Sequence, residues 1–271
     1  YRFNYLSYQT NMVSLNNGLN ITQFYTGTQS GLNSANFITG AQDNGTHYYN
    51  GSFFVKAFGG DGSHCALSPT APYYTYVSYQ NGEIRRFTGT NFFGETNIKP
   101  SGSLAFWFIN PFIINMLNGN HVYFLTKNKI LFSSNSGSNW VNLTNNLNKQ
   151  VLSIGMSNST DPTVYFGGGG TALYRAKNAA TTTLNEVDLT ASAPTTARGS
   201  VINCIRVKQD NPNTVYLSMS DVNSKPRVWK LNNAESDAPV WINISGNLPA
   251  SLPVNSIIIN PLDSTEMVAG T

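Results

Sequence analysis

The feature that most constrains this chain is an apolar strand phrase that returns every 40 to 50 residues. It reads Phe37-Ile38-Thr39-Gly40, Tyr74-Thr75-Tyr76-Val77, Val122-Tyr123-Phe124-Leu125, Val164-Tyr165-Phe166-Gly167 and Val215-Tyr216-Leu217-Ser218. Most copies follow another apolar run and a turn rich in Asn, Asp or Pro, as in Ile154-Gly155-Met156 before Asp161-Pro162. Most precede a third run, such as Ile84-Arg85-Arg86-Phe87, Leu173-Tyr174-Arg175 or Val228-Trp229-Lys230. A fourth, often with Trp, appears at Trp140-Val141-Asn142-Leu143 and Trp241-Ile242-Asn243-Ile244. Helical periodicity is nearly absent, and β-branched and aromatic residues fill the runs, so the units are strands.

Four short strands per repeat of this length predict a blade of a β-propeller. One meander leaves both of its faces uncovered, so neighbouring blades must stack around an axis. Five whole blades are expected, starting near Ile21, Ser63, Pro111, Val151 and Val201. Residues 1–19 are expected to supply outer strands and residues 254–271 an inner pair. The two halves either complete one another or are the cut edges of a larger ring. The chain starts at Tyr1 without Met and ends inside a strand-like run, so it reads as a single propeller domain or an excised part of a larger propeller protein.

Charged residues make up only 11% of the 271 residues, against roughly 25% in an average globular chain. Solubility therefore rests on Asn, Ser, Thr and Gly. The net charge of +3 is scattered, with no basic run, which argues against a nucleic-acid partner. No stretch approaches 18 apolar residues, so no membrane span is expected. Cys65 and Cys204 lack metal-ligand spacing, and with His47, His64 and His121 as the only histidines no zinc site is expected. Two buried thiols are expected, a bridge requiring that their strands adjoin. Low charge with many Tyr, Thr and Asn favours an extracellular or cell-surface protein. Six Asn-x-Ser/Thr triplets occur, at Asn20, Asn44, Asn50, Asn142, Asn158 and Asn243, as chance allows in an Asn-rich chain.

Ser133-Ser134-Asn135-Ser136-Gly137-Ser138-Asn139-Trp140 resembles an Asp-box, the Ser-x-Asp-x-Gly-x-Thr-Trp turn of BNR-type propellers, with Asn135 for the Asp and Asn139 for the Thr. The resemblance implies a structural hairpin between third and fourth strands in which Ser133, Asn135, Gly137 and Trp140 hold the turn. Two further phrases are Gly18-Leu19-Asn20-Ile21-Thr22-Gln23-Phe24-Tyr25 followed by Gly40-Ala41-Gln42-Asp43-Asn44-Gly45-Thr46, and Gly59-Gly60-Asp61-Gly62 with Trp107-Phe108-Ile109-Asn110-Pro111-Phe112. Together they resemble the sortilin-like and xyloglucanase-like propeller modules of large secreted Bacteroidetes proteins, many exported by type IX secretion.

Asp43 and Asp61 are the acidic residues of interest, each in a Gly-flanked loop where a ligand can approach the backbone closely. Xyloglucanases of glycoside hydrolase family 74 resemble this architecture and use an Asp pair. Inversion needs about 6.5–9.5 Å between the two carboxyl groups. Gln42-Asp43-Asn44-Gly45 echoes one catalytic phrase of that family, with Thr46 where a second Gly stands there. Asp43 is thus the catalytic candidate under a hydrolase reading. Gln42, Asp43, Asn44 and Asp61 are the binding candidates under either reading. The alternative is that both Asp residues merely hold turns. No sialidase phrase surrounds Arg85, Arg86, Arg175, Arg198, Arg206 or Arg227. Arg85 and Arg175 lie on equivalent third strands, where Arg reads as a blade feature. No Ser-His-Asp phrase or Walker loop appears, and Gly167-Gly168-Gly169-Gly170 ends a strand instead of opening a helix.

No cofactor is expected. Gly59-Gly60-Asp61-Gly62 could help hold a calcium ion, the one cofactor alternative, although it offers one carboxylate where six or more oxygens are needed. Exposed aromatics (Tyr48, Tyr49, Phe53, Phe54, Tyr73, Phe92, Phe93 and Trp107) are candidate sugar platforms, although packing between blades consumes such residues. The leading functional expectation is a non-catalytic binding or scaffold module with a protein or glycan ligand at the cell surface. The alternative is a xyloglucanase-like glycoside hydrolase acting on a β-glucan.

Overall fold

The computed structural model describes residues 22–220, 226–249, 251–260 and 263–271. Five four-stranded antiparallel meanders follow one another along the chain. Blade 1 comprises Phe24–Gln29, Phe37–Ala41, Gly45–Tyr49 and Phe54–Phe58. Blade 2 comprises Cys65–Leu67, Tyr74–Ser78, Ile84–Thr88 and Thr96–Asn97. In blade 3 the strands are Phe112–Asn115, Asn118–Leu125, Ile130–Ser133 and Val141–Asn142. Blade 4 has Val151–Met156, Val164–Gly168, Leu173–Ala176 and Val187–Asp188. Blade 5 has Ile202–Lys208, Asn211–Met219, Val228–Asn232 and Val240–Asn243. A two-stranded sheet, Ser256–Ile259 with Met267–Gly270, occupies a sixth position. The only helical pieces among the described residues are two 3-10 turns of three residues, Gly169–Thr171 and Thr190–Ser192.

This is the expected all-β propeller, with its blades where the repeats placed them and its final pair at the chain end. The outer strands expected from residues 1–19 lie outside the described residues.

Among the described residues there is no single central core. Apolar burial is divided into five layers, one between each consecutive pair of sheets. Ile38, Tyr48, Leu67, Val77 and Phe87 fill the layer between blades 1 and 2. Tyr76, Ile114 and Phe124 serve blades 2 and 3, Tyr123, Ile154 and Phe166 blades 3 and 4, and Tyr165, Ile205 and Leu217 blades 4 and 5. Cys204, Tyr216, Val254 and Ile257 bind the last pair to blade 5. The recurring Tyr of the second strand always points at the following blade. Tyr76 donates its hydroxyl to Gly119 O at 3.0 Å, and Tyr165 to Pro212 O at 3.1 Å, each in the next blade's first hairpin. Each such ring contributes about 1.5–3 kcal/mol by burial alone, and these two hydroxyl bonds tie each blade to the next.

Cys65 and Cys204 are free and buried, on the innermost strands of blades 2 and 5. Their strands do not adjoin, which rules out the bridge left open by the sequence. Burial pushes the Cys65 thiol up to about 12, so it stays protonated and inert.

Among the described residues, both ends of this stack carry apolar groups on their outward faces. On blade 1, the face turned away from blade 2 carries Phe37, Tyr49 and Phe54 in cross-strand register, their ring centroids 5.0–5.7 Å apart. On the last pair, Ile258 and Val268 stand opposite one another and are 63% and 70% exposed.

Candidate functional site

An antiparallel meander sends the turns after its second and fourth strands to one end of the blade, and those after its first and third to the other. The Gln42–Asn44 turn follows a second strand, and the Gly59–His64 connection follows a fourth. They share one ring face. The Ser134–Trp140 turn follows a third strand and lies on the opposite face.

Glycines bring the first two segments into backbone contact. A Cβ on Gly62 would sit 2.0 Å from Gly45 O, and one on Gly40 would sit 2.0 Å from Ser63 O. Asp43 adopts the left-handed conformation (φ 59°), which Asp tolerates better than most residues. Across this seam the Asp43 N–H donates to Asp61 Oδ1 at 2.8 Å, and the Asp61 N–H donates to Gln80 Oε1 at 3.1 Å. Asn44 Nδ2 donates to Gln42 O at 3.0 Å and closes the turn on itself. The structure therefore brings the four sequence candidates together. With Thr22 and Gln23, Gln42, Asp43 and Asn44 line an open depression. Beside it, partial burial together with the nearby Asp61 and Asp43 charges raises the Tyr25 phenol above its ordinary range.

The remaining carboxylates are nearly all engaged. Glu83 pairs with Arg85 and Lys99, Asp210 with Lys208, and Asp237 with Arg175. Asp161 accepts from Ala180 and Thr181, Glu186 from Asn145, Asp188 from Thr190, and Glu235 from Thr163. Asp263 accepts from Thr265, and Glu266 from Asn260. Among the described residues, only Asp43 and Glu95 have carboxylates without such a bond. Glu95 follows the third strand of blade 2 and so belongs to the opposite ring face. No cluster of three or more His, Cys, Asp or Glu forms among the described residues.

The Ser133–Trp140 turn is built as a clamp. Ser133 Oγ accepts from the Gly137 N–H at 2.8 Å, and Asn135 Oδ1 accepts from the Asn139 N–H at 2.8 Å. Gly137 holds φ 82°, where a Cβ would also strike Ile98. Trp140 packs edge-on against Phe124 and donates its Nε1–H to Ile98 O at 2.8 Å, reaching the connection that leaves blade 2.

Strand register revises the reading of the arginines. Arg86, not Arg85, is the equivalent of Arg175, because Arg86 lies opposite Tyr76 as Arg175 lies opposite Tyr165. Side chains alternate faces along a strand, so Arg85 points the other way and pairs with Glu83. Arg86 donates to Ser136 O at 2.7 Å, in the third-to-fourth-strand turn of the next blade. Arg175 does the same between blades 4 and 5, donating to Ala234 O and Ser236 O and pairing with Asp237. Both are interblade ties.

Of the expected surface aromatics, Phe53, Phe54, Tyr73 and Phe93 are exposed. Tyr48 instead is buried in the layer between blades 1 and 2, because its register partner Ile38 faces that layer. Trp107 is half-buried, donating its Nε1–H to Val151 O while the Lys127 ammonium stands over its ring.

One feature escaped the sequence. The innermost strands of all six positions surround a channel of about 470 Å³. His64 and Phe112 line it with ring centroids 6.4 Å apart, beside Tyr25, Asn203, Asn255 and Arg206. Enclosure and the Arg206 guanidinium push the His64 imidazole down to about 4, so it is neutral at pH 7. The only available signal was that Arg206 breaks a repeat position, and it is legible only after the register is known.

No family model matches the chain, and no curated protein does. Solved structures do. The chain is similar to the glycoside hydrolase family 74 xyloglucanase from Xanthomonas campestris, at 11% identity and a TM-score of 0.68, over 91% of this chain and 43% of that one. It is similar to the family 74 enzyme from Niastella koreensis, at 16% identity and a TM-score of 0.64, over 92% of this chain and 42% of that one. It is also similar to YCF48 bound to D1 peptide, at 10% identity and a TM-score of 0.59, over 89% and 73% of the two chains. The chain spans less than half the length of the two hydrolases. At these identities the likeness shows the fold alone, and that fold is a β-propeller.

Proposed function

We propose that this propeller is a non-catalytic binding or scaffold module of a secreted or cell-surface protein, presenting the Gln42–Asn44 turn and the Asp61 connection to a glycan or protein. The observation that carries this reading is the use of Asp61. Its carboxylate holds the Asp43 amide at 2.8 Å, as a turn clamp does. That leaves Asp43 as the one unengaged carboxylate on its face among the described residues, whereas inverting hydrolysis needs two, about 6.5–9.5 Å apart. The Ser133–Trp140 clamp supports assignment to the BNR, Asp-box type. The low charge and the richness in Asn, Thr and Tyr support an extracellular setting. A peptide-bound propeller and xyloglucan-degrading ones share this ring, which is why the ligand class is stated as glycan or protein.

A hydrolase reading keeps one specific support, the open Asp43 carboxylate beside Tyr25. The two readings separate in a panel of β-glucans including xyloglucan. A binding module retards in affinity electrophoresis or leaves the panel untouched, and in both cases releases no reducing ends. Release that disappears in Asp43→Ala would make the chain a glycosidase.

A further inference from the structure

The central channel carries one formal charge among the described residues that line it, the guanidinium of Arg206. The strand register shows that this charge departs from the repeat. Opposite the second-strand residue that points at the next blade, the inner strand carries Thr28 in blade 1, Ala66 in blade 2, Ile113 in blade 3 and Gly155 in blade 4. In blade 5 the same position, opposite Tyr216, is Arg206. Four blades use a small or apolar residue there, and one uses the bulkiest cation available.

Among the described residues Arg206 has no carboxylate partner. Its one hydrogen bond is to its own neighbour's carbonyl, Ile205 O at 3.2 Å. The nearest cation along its strand, Lys208, is already held by Asp210 at 3.0 Å. Arg206 also lines a second cavity of about 250 Å³, between blade 5 and the last pair, so its side chain stands where two hollows meet. Arg206 is exposed along these openings, and among the described residues most of its guanidinium donors are unused, a planar fork free to meet an anion.

We propose that the central channel binds an organic monocarboxylate, its carboxylate held by Arg206. A single guanidinium matches a single negative charge and offers a planar fork for two parallel hydrogen bonds. A phosphate dianion would leave charge uncompensated, since His64 across the channel is neutral at pH 7. Asn203 and Asn255 already bond to one another at 3.2 Å and supply neutral polar wall. Phe112, Leu152 and Ile154 give the body of the ligand an apolar surface. This site is separate from the Asp43 face loops, so it stands or falls independently of the glycan or protein ligand proposed above.

The test is a titration of the full chain with sodium propionate at pH 7, read by NMR at the His64 ring C–H and the Arg206 Nε–H. Propionamide, of the same shape and uncharged, is the control, and His47 and His121 are internal references outside the channel. The expected result is a saturable shift at His64 and Arg206 with propionate, none with propionamide, and none at His47 or His121. Arg206→Gln, checked for folding by circular dichroism, should lose the propionate response at His64. Absence of a saturable shift, an equal response to propionamide, or a response that survives in Arg206→Gln would each overturn the proposal. Should Arg206→Gln fail to fold, the propionate and propionamide comparison on the native chain decides alone.

Discussion

The carboxylate of Asp61 accepts the backbone N–H of Asp43 at 2.8 Å, across a seam between two segments 18 residues apart. This bond ties the first blade's second turn to the connection that opens the second blade. Removing it in Asp61→Ala frees the Asp43 amide at a cost of about 1 kcal/mol. Amide exchange at Asp43 should then accelerate on the order of five-fold, with core amides such as that of Tyr76 unchanged. Unchanged exchange at Asp43 would mean that the glycine contacts alone fix the turn.

Trp140 is the anchor of the clamp on the other ring face. Trp140→Ala removes its contact with Phe124 and its bond to Ile98 O, and should cost about 2–4 kcal/mol. Trp140→Phe keeps a ring in place and should cost about 1 kcal/mol, the loss of one hydrogen bond. Urea midpoints of the two variants measure the difference.

Arg175 and Asp237 are partners of unequal weight. The Arg175 side chain is 4% exposed and bonds two carbonyls of blade 5, whereas that of Asp237 is 80% exposed. Arg175→Ala should lower stability by about 3 kcal/mol, because buried acceptors lose a charged donor. Asp237→Ala should cost less than about 1 kcal/mol, as rim ion pairs do. Equal losses would show that the ion pair, and not the backbone bonds, ties blades 4 and 5.

His64 gives the fold an acid limb. Its folded value lies near 4 against 6.5 unfolded, through enclosure first and Arg206 second. The unfolded chain therefore takes up a proton between pH 6.5 and 4 that the folded chain refuses, so acid favours unfolding across that window. Stability from this group is fully present above pH 6.5 and falls as pH drops toward 4, by up to about 3 kcal/mol. Thermal midpoints of His64→Asn should show a shallower decline over the same window.

The repeats made the blade boundaries legible because a strand that packs on both faces needs a continuous apolar run, and five such runs recur. The Tyr of the second strand was visible as a repeat, but its direction was not. Register supplied it, and register also moved the equivalence of Arg175 from Arg85 to Arg86. Tyr48 looked like surface because a polar tip and neighbouring glycines suggest a loop, yet its pairing with Ile38 turns it inward. The meeting of Asp43 with Asp61 depends on Gly45 and Gly62 touching through space. The place of Arg206 depends on inner strands of six positions lining one channel. Both are properties of the assembled ring, and no local pattern carries them.

The most direct test of the binding-module account is reducing-end release from a β-glucan panel by the purified chain, beside Asp43→Ala. The account predicts no release by either protein, with both folded by circular dichroism. Release by the native chain that is lost in Asp43→Ala would contradict it and make Asp43 a catalytic residue.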